Sequence, residues 1–176
     1  MNRAEEDLLV LAAQEGNERA FEYLFRHYHR RLVHFAAGLC RDRELASEAV
    51  QEAWIRIAKR IRRLEDPRAF RSWLYRAVRW QVLDKLKRPR EPLEPLDESV
   101  IASPQVAGAL EHPVDLRSLI GQLPAPDRQA LHLFYLDEMK IREIALVLEV
   151  PAGTIKSRLN RARNRLRELA GHGEQA

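Results

Sequence analysis

Two stretches of this chain carry side chains whose type and spacing suit contact with a nucleic acid. Near the C-terminus, Lys156, Arg158, Arg161, Arg163, Arg165 and Arg167 follow one another with no acid before Glu168. Ammonium and guanidinium groups neutralise phosphates, and the guanidinium fork also reaches base edges. In the middle of the chain, Arg71, Arg76, Arg79, Lys85, Lys87, Arg88 and Arg90 are interleaved with Trp73, Tyr75 and Trp80. Cations among aromatics suit opened DNA, because phosphates are neutralised while unpaired bases stack on rings. Trp73 fits the apolar stripe of its own segment and reads as core. Trp80 fits it less well; a base-contacting role beside Arg76 and Arg79 and a plain surface role both stay open.

The elements that must position these groups are helices. Residues 141–169 predict a short helix, a tight turn and a second helix. Ile144 and Leu148 lie four apart in the first, with small Ala145 on its flank. Pro151 suits the first position of the next helix, where its missing N–H costs nothing. Ile155, Leu159, Ala162, Leu166 and Leu169 then form one apolar stripe, with the cations on the other faces. A helix-turn-helix with such a second helix suits a DNA major groove. Upstream, a short helix around residues 8–13 precedes three longer patterns. Phe21, Leu24, Phe25, Tyr28, Leu32, Phe35, Ala36 and Leu39 form one face; Ala46, Ala49, Val50, Ala53, Ile57 and Ile61 a second; Phe70, Trp73, Leu74, Ala77, Val78, Val82 and Leu86 a third. Asp66 and Pro67 predict the start of that third helix.

Five prolines (Pro89, Pro92, Pro95, Pro104 and Pro113) interrupt residues 89–115, where periodicity disappears. The expected fold is therefore all-α. Two small helical domains, 1–89 and 116–176, are joined by a flexible acidic linker over 90–115, and the second domain contains the helix-turn-helix.

Charge is distributed unevenly along the 176 residues. Residues 54–90 carry net +10, residues 91–115 net −6 and residues 154–176 net +4, within an overall +4. Two basic blocks around an acidic one point to two contacts with one polyanion. The single Cys40 excludes an intramolecular disulfide framework. His27 and His29 are two apart and face different sides of a helix, so neither metal nor cofactor is expected. No P-loop, dinucleotide fingerprint, HExxH or nucleophile elbow occurs, and no catalytic residue is expected. The longest apolar run, residues 8–13, is too short to span a bilayer, and a cytoplasmic location is expected.

Taken in order, these pieces resemble the extracytoplasmic-function sigma factors, group IV of the sigma-70 family of bacterial RNA polymerase. AFEYLFRHYHRRL is similar to the family's first conserved helix, ASEAVQEAWIRI to its polymerase-binding helix and FRSWLYRAVRWQVLDKLKR to its −10 element helix. The stretch from LPAPDRQALHLFY to AGTIKSRLNRARNRLREL resembles its −35 domain. The resemblance implies an alternative sigma factor that binds core polymerase, through the β′ clamp and the β subunit, and recognises −10 and −35 promoter elements. It implies polymerase contacts from Glu48, Gln51, Glu52 and Trp54. For opened −10 DNA it implies Arg62, Arg63, Phe70, Arg71, Trp73, Arg76, Arg79, Trp80 and Lys85. For the −35 duplex it implies Lys156, Ser157, Asn160 and Arg161 in the groove, with Thr154, Arg158 and Arg165 around them. It further implies an acidic linker threading the polymerase cleft, and an anti-sigma partner that could hold the protein at the membrane. Two positions depart from the family pattern: Glu149 stands in the turn where Gly is usual, and Trp80 where Asn is common. The alternatives are a stand-alone helix-turn-helix regulator and a DNA recombinase; the latter needs an α/β domain for which no strand pattern exists.

Overall fold

The computed structural model describes residues 1–87 and 116–173. The expected linker, 90–115, lies outside the described residues. Among the described residues, eight α-helices form in chain order: α1 (Arg3–Gln14), α2 (Glu18–Cys40), α3 (Arg43–Arg60), α4 (Phe70–Lys87), α5 (Leu116–Gly121), α6 (Ala125–Tyr135), α7 (Ile141–Leu148) and α8 (Ala152–Gly173). The described residues contain no strand, in agreement with the all-α expectation.

The helix starts follow from capping chemistry. The Asn2, Asn17 and Asp42 side chains accept from the backbone N–H groups of Glu5, Ala20 and Leu45, at 2.9, 3.1 and 2.9 Å. Each satisfies a donor that the first turn would leave unpaired. The predicted Asp66–Pro67 start is resolved more finely. Asp66 accepts from the Arg68 N–H at 3.0 Å, Pro67 opens a 3-10 turn (Pro67–Ala69), and α4 begins immediately after it.

The first four helices bury the predicted stripes. Leu24, Tyr28, Leu32 and Phe35 from α2 meet Ala46, Ala49, Val50, Ala53 and Ile57 from α3, and Phe70, Leu74, Val78 and Val82 from α4. Each fully buried large side chain contributes about 1.5–3 kcal/mol relative to exposure. The stripe of α4 ends sooner than its sequence suggests: Leu86 is exposed, as is Leu83.

The same apolar cluster continues into the second half, through Leu133 of α6, Met139, and Ile144 and Val147 of α7. Helix α4 packs against α7, and α2 against α6. The joint between the halves also holds polar groups. Tyr75 Oη donates to Asp137 Oδ1 at 2.6 Å, and both residues are buried. Arg3 sends both terminal nitrogens to the two Glu143 carboxylate oxygens, at 2.6 and 2.7 Å. His132 Nε2 lies 3.2 Å from Asp137 Oδ2, and the His132 ring stacks on that of His34 at 5.2 Å. Among the described residues, no helix is long and apolar enough to cross a membrane, and no group of three or more His, Cys, Asp or Glu side chains is placed to hold a metal ion.

Candidate nucleic-acid interface

The helix-turn-helix forms as its sequence predicts. Helix α7 ends at Glu149, whose backbone takes φ 56° and ψ 46°. This is the left-handed region, which costs a residue with a Cβ about 1 kcal/mol relative to glycine. The Val150 N–H returns to the Ala145 carbonyl at 3.1 Å, and the Thr154 N–H bonds to the Pro151 carbonyl at 2.9 Å. Ile155, Leu159 and Ala162 of α8 are buried, which turns Lys156, Ser157, Asn160 and Arg161 outward. Thr154 and Arg158 sit half-buried at the margins, and Arg165 is exposed with its Nη1 3.2 Å from Glu168 Oε2.

Two of the groove-facing groups make contacts the sequence did not announce. Ser157 Oγ donates back to the Gly153 carbonyl at 3.1 Å. Arg161 sends Nε and Nη2 to the two Asp127 carboxylate oxygens at 3.3 and 3.0 Å. Asp127 lies in the first turn of α6 and is buried, so this guanidinium staples α8 to α6. Those hydrogen bonds hold the Arg161 pKa above its ordinary value. Lys156 and Asn160 are exposed on the same outward face.

On the first half, α4 divides its predicted DNA groups between surface and interior. Arg76 and Trp80 are exposed, and Arg79 is half-buried. The Arg76 guanidinium stands 6.0 Å from the Trp80 ring centroid, within range of a cation–π contact. Arg62 and Arg63 are exposed on the 3-10 turn Ile61–Arg63 that precedes α4. Trp73 is half-buried against the core, as its stripe position predicts.

Phe70, Arg71 and Lys85 do not face outward here. Phe70 is fully buried, its ring 6.0 Å from that of Tyr28. Arg71 is 6% exposed; its Nη2 donates to Glu6 Oε2 at 2.5 Å, its Nε to Tyr28 Oη at 3.0 Å and its Nη1 to the Asp137 carbonyl at 3.4 Å. Burial opposes the charge on Arg71, but Tyr28 and Glu6 outweigh it, and the pKa rises further above its ordinary value. The Tyr28 hydroxyl is in turn pushed up, first by burial and then by Glu6. In this arrangement Phe70 and Arg71 support the surface of α4 from behind.

Lys85 points across to α3, with Nζ 3.1 Å from Glu48 Oε2 and 2.8 Å from Glu52 Oε1. Its pKa is raised by those carboxylates, Glu52 foremost. Carboxylates expected to bind polymerase are therefore paired with an ammonium expected to bind DNA. Glu48 and Gln51 are exposed and Glu52 half-buried. Trp54, by contrast, is 4% exposed, wedged between Phe25 at 5.1 Å and Phe21 at 5.7 Å, and presents almost no surface to a partner. Its place on the apolar side of α3, one residue after Ala53 and three before Ile57, was the signal for burial.

A contact between the halves is absent from any sequence pattern. Glu149, in the turn of the helix-turn-helix, meets three groups of α4. Arg76 Nη2 lies 2.9 Å from its Oε1, Arg79 Nη1 3.4 Å from its Oε2, and Trp80 Nε1 donates to its Oε1 at 3.3 Å. A groove lined by Arg76, Leu146, Val150 and Pro151 runs beside this contact.

Comparison with known proteins places both halves. Residues 24–91 match the model of "Sigma-70 region 2" and residues 114–166 that of "Sigma-70, region 4". The ECF RNA polymerase sigma factor SigM of Mycobacterium tuberculosis is 33% identical over 168 residues, which covers 94% of this chain and 85% of that protein. CnrH, solved in complex with the cytosolic domain of CnrY, is similar in fold at a TM-score of 0.67, with 21% identity, covering 96% of this chain and 98% of that one. RpoE of Bartonella quintana, solved with the anti-sigma factor NepR, reaches 0.66 with 23% identity, covering 86% and 96%.

Proposed function

The chain belongs to the extracytoplasmic-function sigma factors of the sigma-70 family, which direct RNA polymerase to promoters, and we propose how its own residues divide that work. Helix α8 reads the −35 element as duplex, with Lys156 and Asn160 at base edges and Thr154, Ser157, Arg158 and Arg165 towards the phosphates. Arg161 reaches a base only by exchanging Asp127 for it. The observation that carries this reading is the outward face of α8, cationic and held at a fixed angle by the Ile155–Leu159–Ala162 stripe.

Helix α4 and the turn before it handle the opened −10 element. Arg62, Arg63, Arg76 and Arg79 neutralise the strand, and Trp80 offers a stacking surface worth about 1–3 kcal/mol per base. Unstacking a base costs a few kcal/mol, so stacking and phosphate contacts together are needed to offset it. Phe70 and Arg71 position α4 from the inside, and Trp73 packs behind it. Glu48, Gln51 and Glu52 dock on core polymerase. The bond-making belongs to that enzyme, in the cytoplasm where it works, and this chain needs no cofactor. An anti-sigma protein that covers these faces is the fitting regulator and could hold the factor at the membrane. The acidic stretch 90–115 suits a basic channel between the two DNA sites.

Run-off transcription with core polymerase on a promoter library tests the reading. The expected result is transcription from a defined pair of elements, abolished by Glu48→Arg/Glu52→Arg while the far-UV circular dichroism stays unchanged. Retained transcription by that variant moves the docking face elsewhere. Tight, sequence-specific DNA binding by the free chain without polymerase overturns this division of work between the halves.

A further inference from the structure

The turn that ends α7 and the DNA face of α4 meet through one carboxylate. Glu149 is a negatively charged group set among two guanidiniums and an indole N–H, at 2.9, 3.4 and 3.3 Å. That is the environment a DNA phosphate beside an unstacked base would seek: cations for the charge, and an aromatic face for the base. The Arg79 side chain is 20% exposed and the Glu149 side chain 38%, so the contact is partly withdrawn from water and less screened than an open surface pair.

The backbone does not require a glutamate at this place. At φ 56° a glycine forms the turn more cheaply, and Glu149 sits there against a conformational preference. Its carboxylate makes no hydrogen bond within its own helix-turn-helix; the hydrogen bonds it makes run to α4. The joint behind it, buried at Tyr75–Asp137 and partly buried at Arg3–Glu143, holds the two halves so that the contact forms.

We infer that Glu149 is an internal phosphate mimic: in the free chain it occupies the Arg76–Arg79–Trp80 site on α4 and masks it from single-stranded DNA. The inference rests on the −10 role of α4 proposed above. Masking is competitive, so it needs no separate closed fold beyond the one described. Separating the halves on polymerase removes the carboxylate and frees the site.

Fluorescence anisotropy of a labelled oligo-dT strand against the full-length free chain tests this, at low salt and again at about 0.2 M. Glu149→Gln keeps the side-chain shape and removes the charge. It is expected to bind about three- to ten-fold more tightly than the wild-type protein, as befits a partly screened ion-pair network. A charge-matched control, Glu44→Gln at the exposed start of α3, shifts affinity by less than about two-fold, since the three α4 groups contact Glu149 and not Glu44. In an Arg76→Ala/Arg79→Ala background the gain from Glu149→Gln disappears. Unchanged affinity in Glu149→Gln overturns the inference. So does a gain that persists without the two arginines, because Glu149 would then repel DNA from elsewhere. Run-off transcription by the wild-type chain is scored alongside: promoter-specific transcripts with no Glu149 effect discard the mimic and leave the −10 role standing.

Discussion

Arg71 offers the sharpest separation between a DNA contact and a structural support. Its side chain is 8% exposed and that of Glu6 3%, and the two are 2.5 Å apart. Arg71→Ala leaves the Glu6 carboxylate buried without its cation and removes the donor to the Tyr28 hydroxyl. Breaking one partner of a buried pair costs about 3–5 kcal/mol, since an uncompensated charge stays in the interior. A domain of this size has only about 5–15 kcal/mol to lose. With a urea slope of about 2 kcal/mol per molar, the unfolding midpoint of the free chain falls by about 2 M. The pair itself contributes far less than its breakage costs, because both ions were taken out of water. Glu6→Leu/Arg71→Met is therefore expected within about 1–2 kcal/mol of wild type, well above either single change. Urea unfolding followed by circular dichroism reads wild type, Arg71→Ala, Glu6→Leu, Arg71→Met and the double variant. The reasoning fails if Arg71→Ala unfolds within about 1 kcal/mol of wild type while promoter-specific transcription collapses. That pattern belongs to a residue that touches DNA.

Three further outcomes are expected. Tyr75→Phe strips the buried Asp137 Oδ1 of its 2.6 Å donor and should cost about 1–3 kcal/mol in urea unfolding, whereas an exposed tyrosine would cost almost nothing. Glu149→Gly should be about 1 kcal/mol more stable than Glu149→Ala, because both lose the contact with α4 and only alanine keeps a Cβ at φ 56°; thermal unfolding of the pair isolates that backbone cost. Burial pushes the Glu143 carboxyl up, but Arg3 and the Lys140 N–H outweigh it and hold its pKa below the usual 4.5. A lowered carboxyl pKa gives stability that is present above 4.5 and lost as pH falls through the lowered value. The stability gap between wild type and Glu143→Gln should therefore shrink on acidification in that window, and a gap independent of pH would contradict the ion pair.

The helices were legible because apolar spacing reports which face must be hidden. The stripe of α3 is buried residue for residue, those of α2 and α8 leave Phe21, Phe25, Leu39, Leu166 and Leu169 half-buried, and Pro67 and Pro151 mark starts where a missing N–H costs nothing. What the sequence hid was the fate of charge. Arg71, Lys85 and Arg161 look alike as letters in basic runs, yet each is taken by a carboxylate from another helix: Glu6, Glu48 with Glu52, and Asp127. Partners 65, 37 and 34 residues away leave no local signature. Trp54 and Phe70, for which the resemblance implies contacts, are buried in the free chain, because an aromatic in a functional helix looks the same whether it faces in or out. Their spacing to Ala53 and Leu74 held the answer. The joint between the halves was invisible for a different reason: α7 hides Ile144 and Val147 against α4 and Ile155, a choice no single helix pattern specifies.

That joint also sets an order of events for a chain made from its N-terminus. The Glu6–Arg71–Tyr28 cluster is complete once α4 has emerged, so the first half neutralises its buried guanidinium without help. Tyr75 must wait 62 residues for Asp137, and Arg3 waits 140 for Glu143. Contacts of such span close slowly, because the intervening loop gives up its freedom before they return anything. The two halves are therefore expected to fold as successive units, with their docking the last and least committed step, the one that a partner arriving during synthesis can pre-empt.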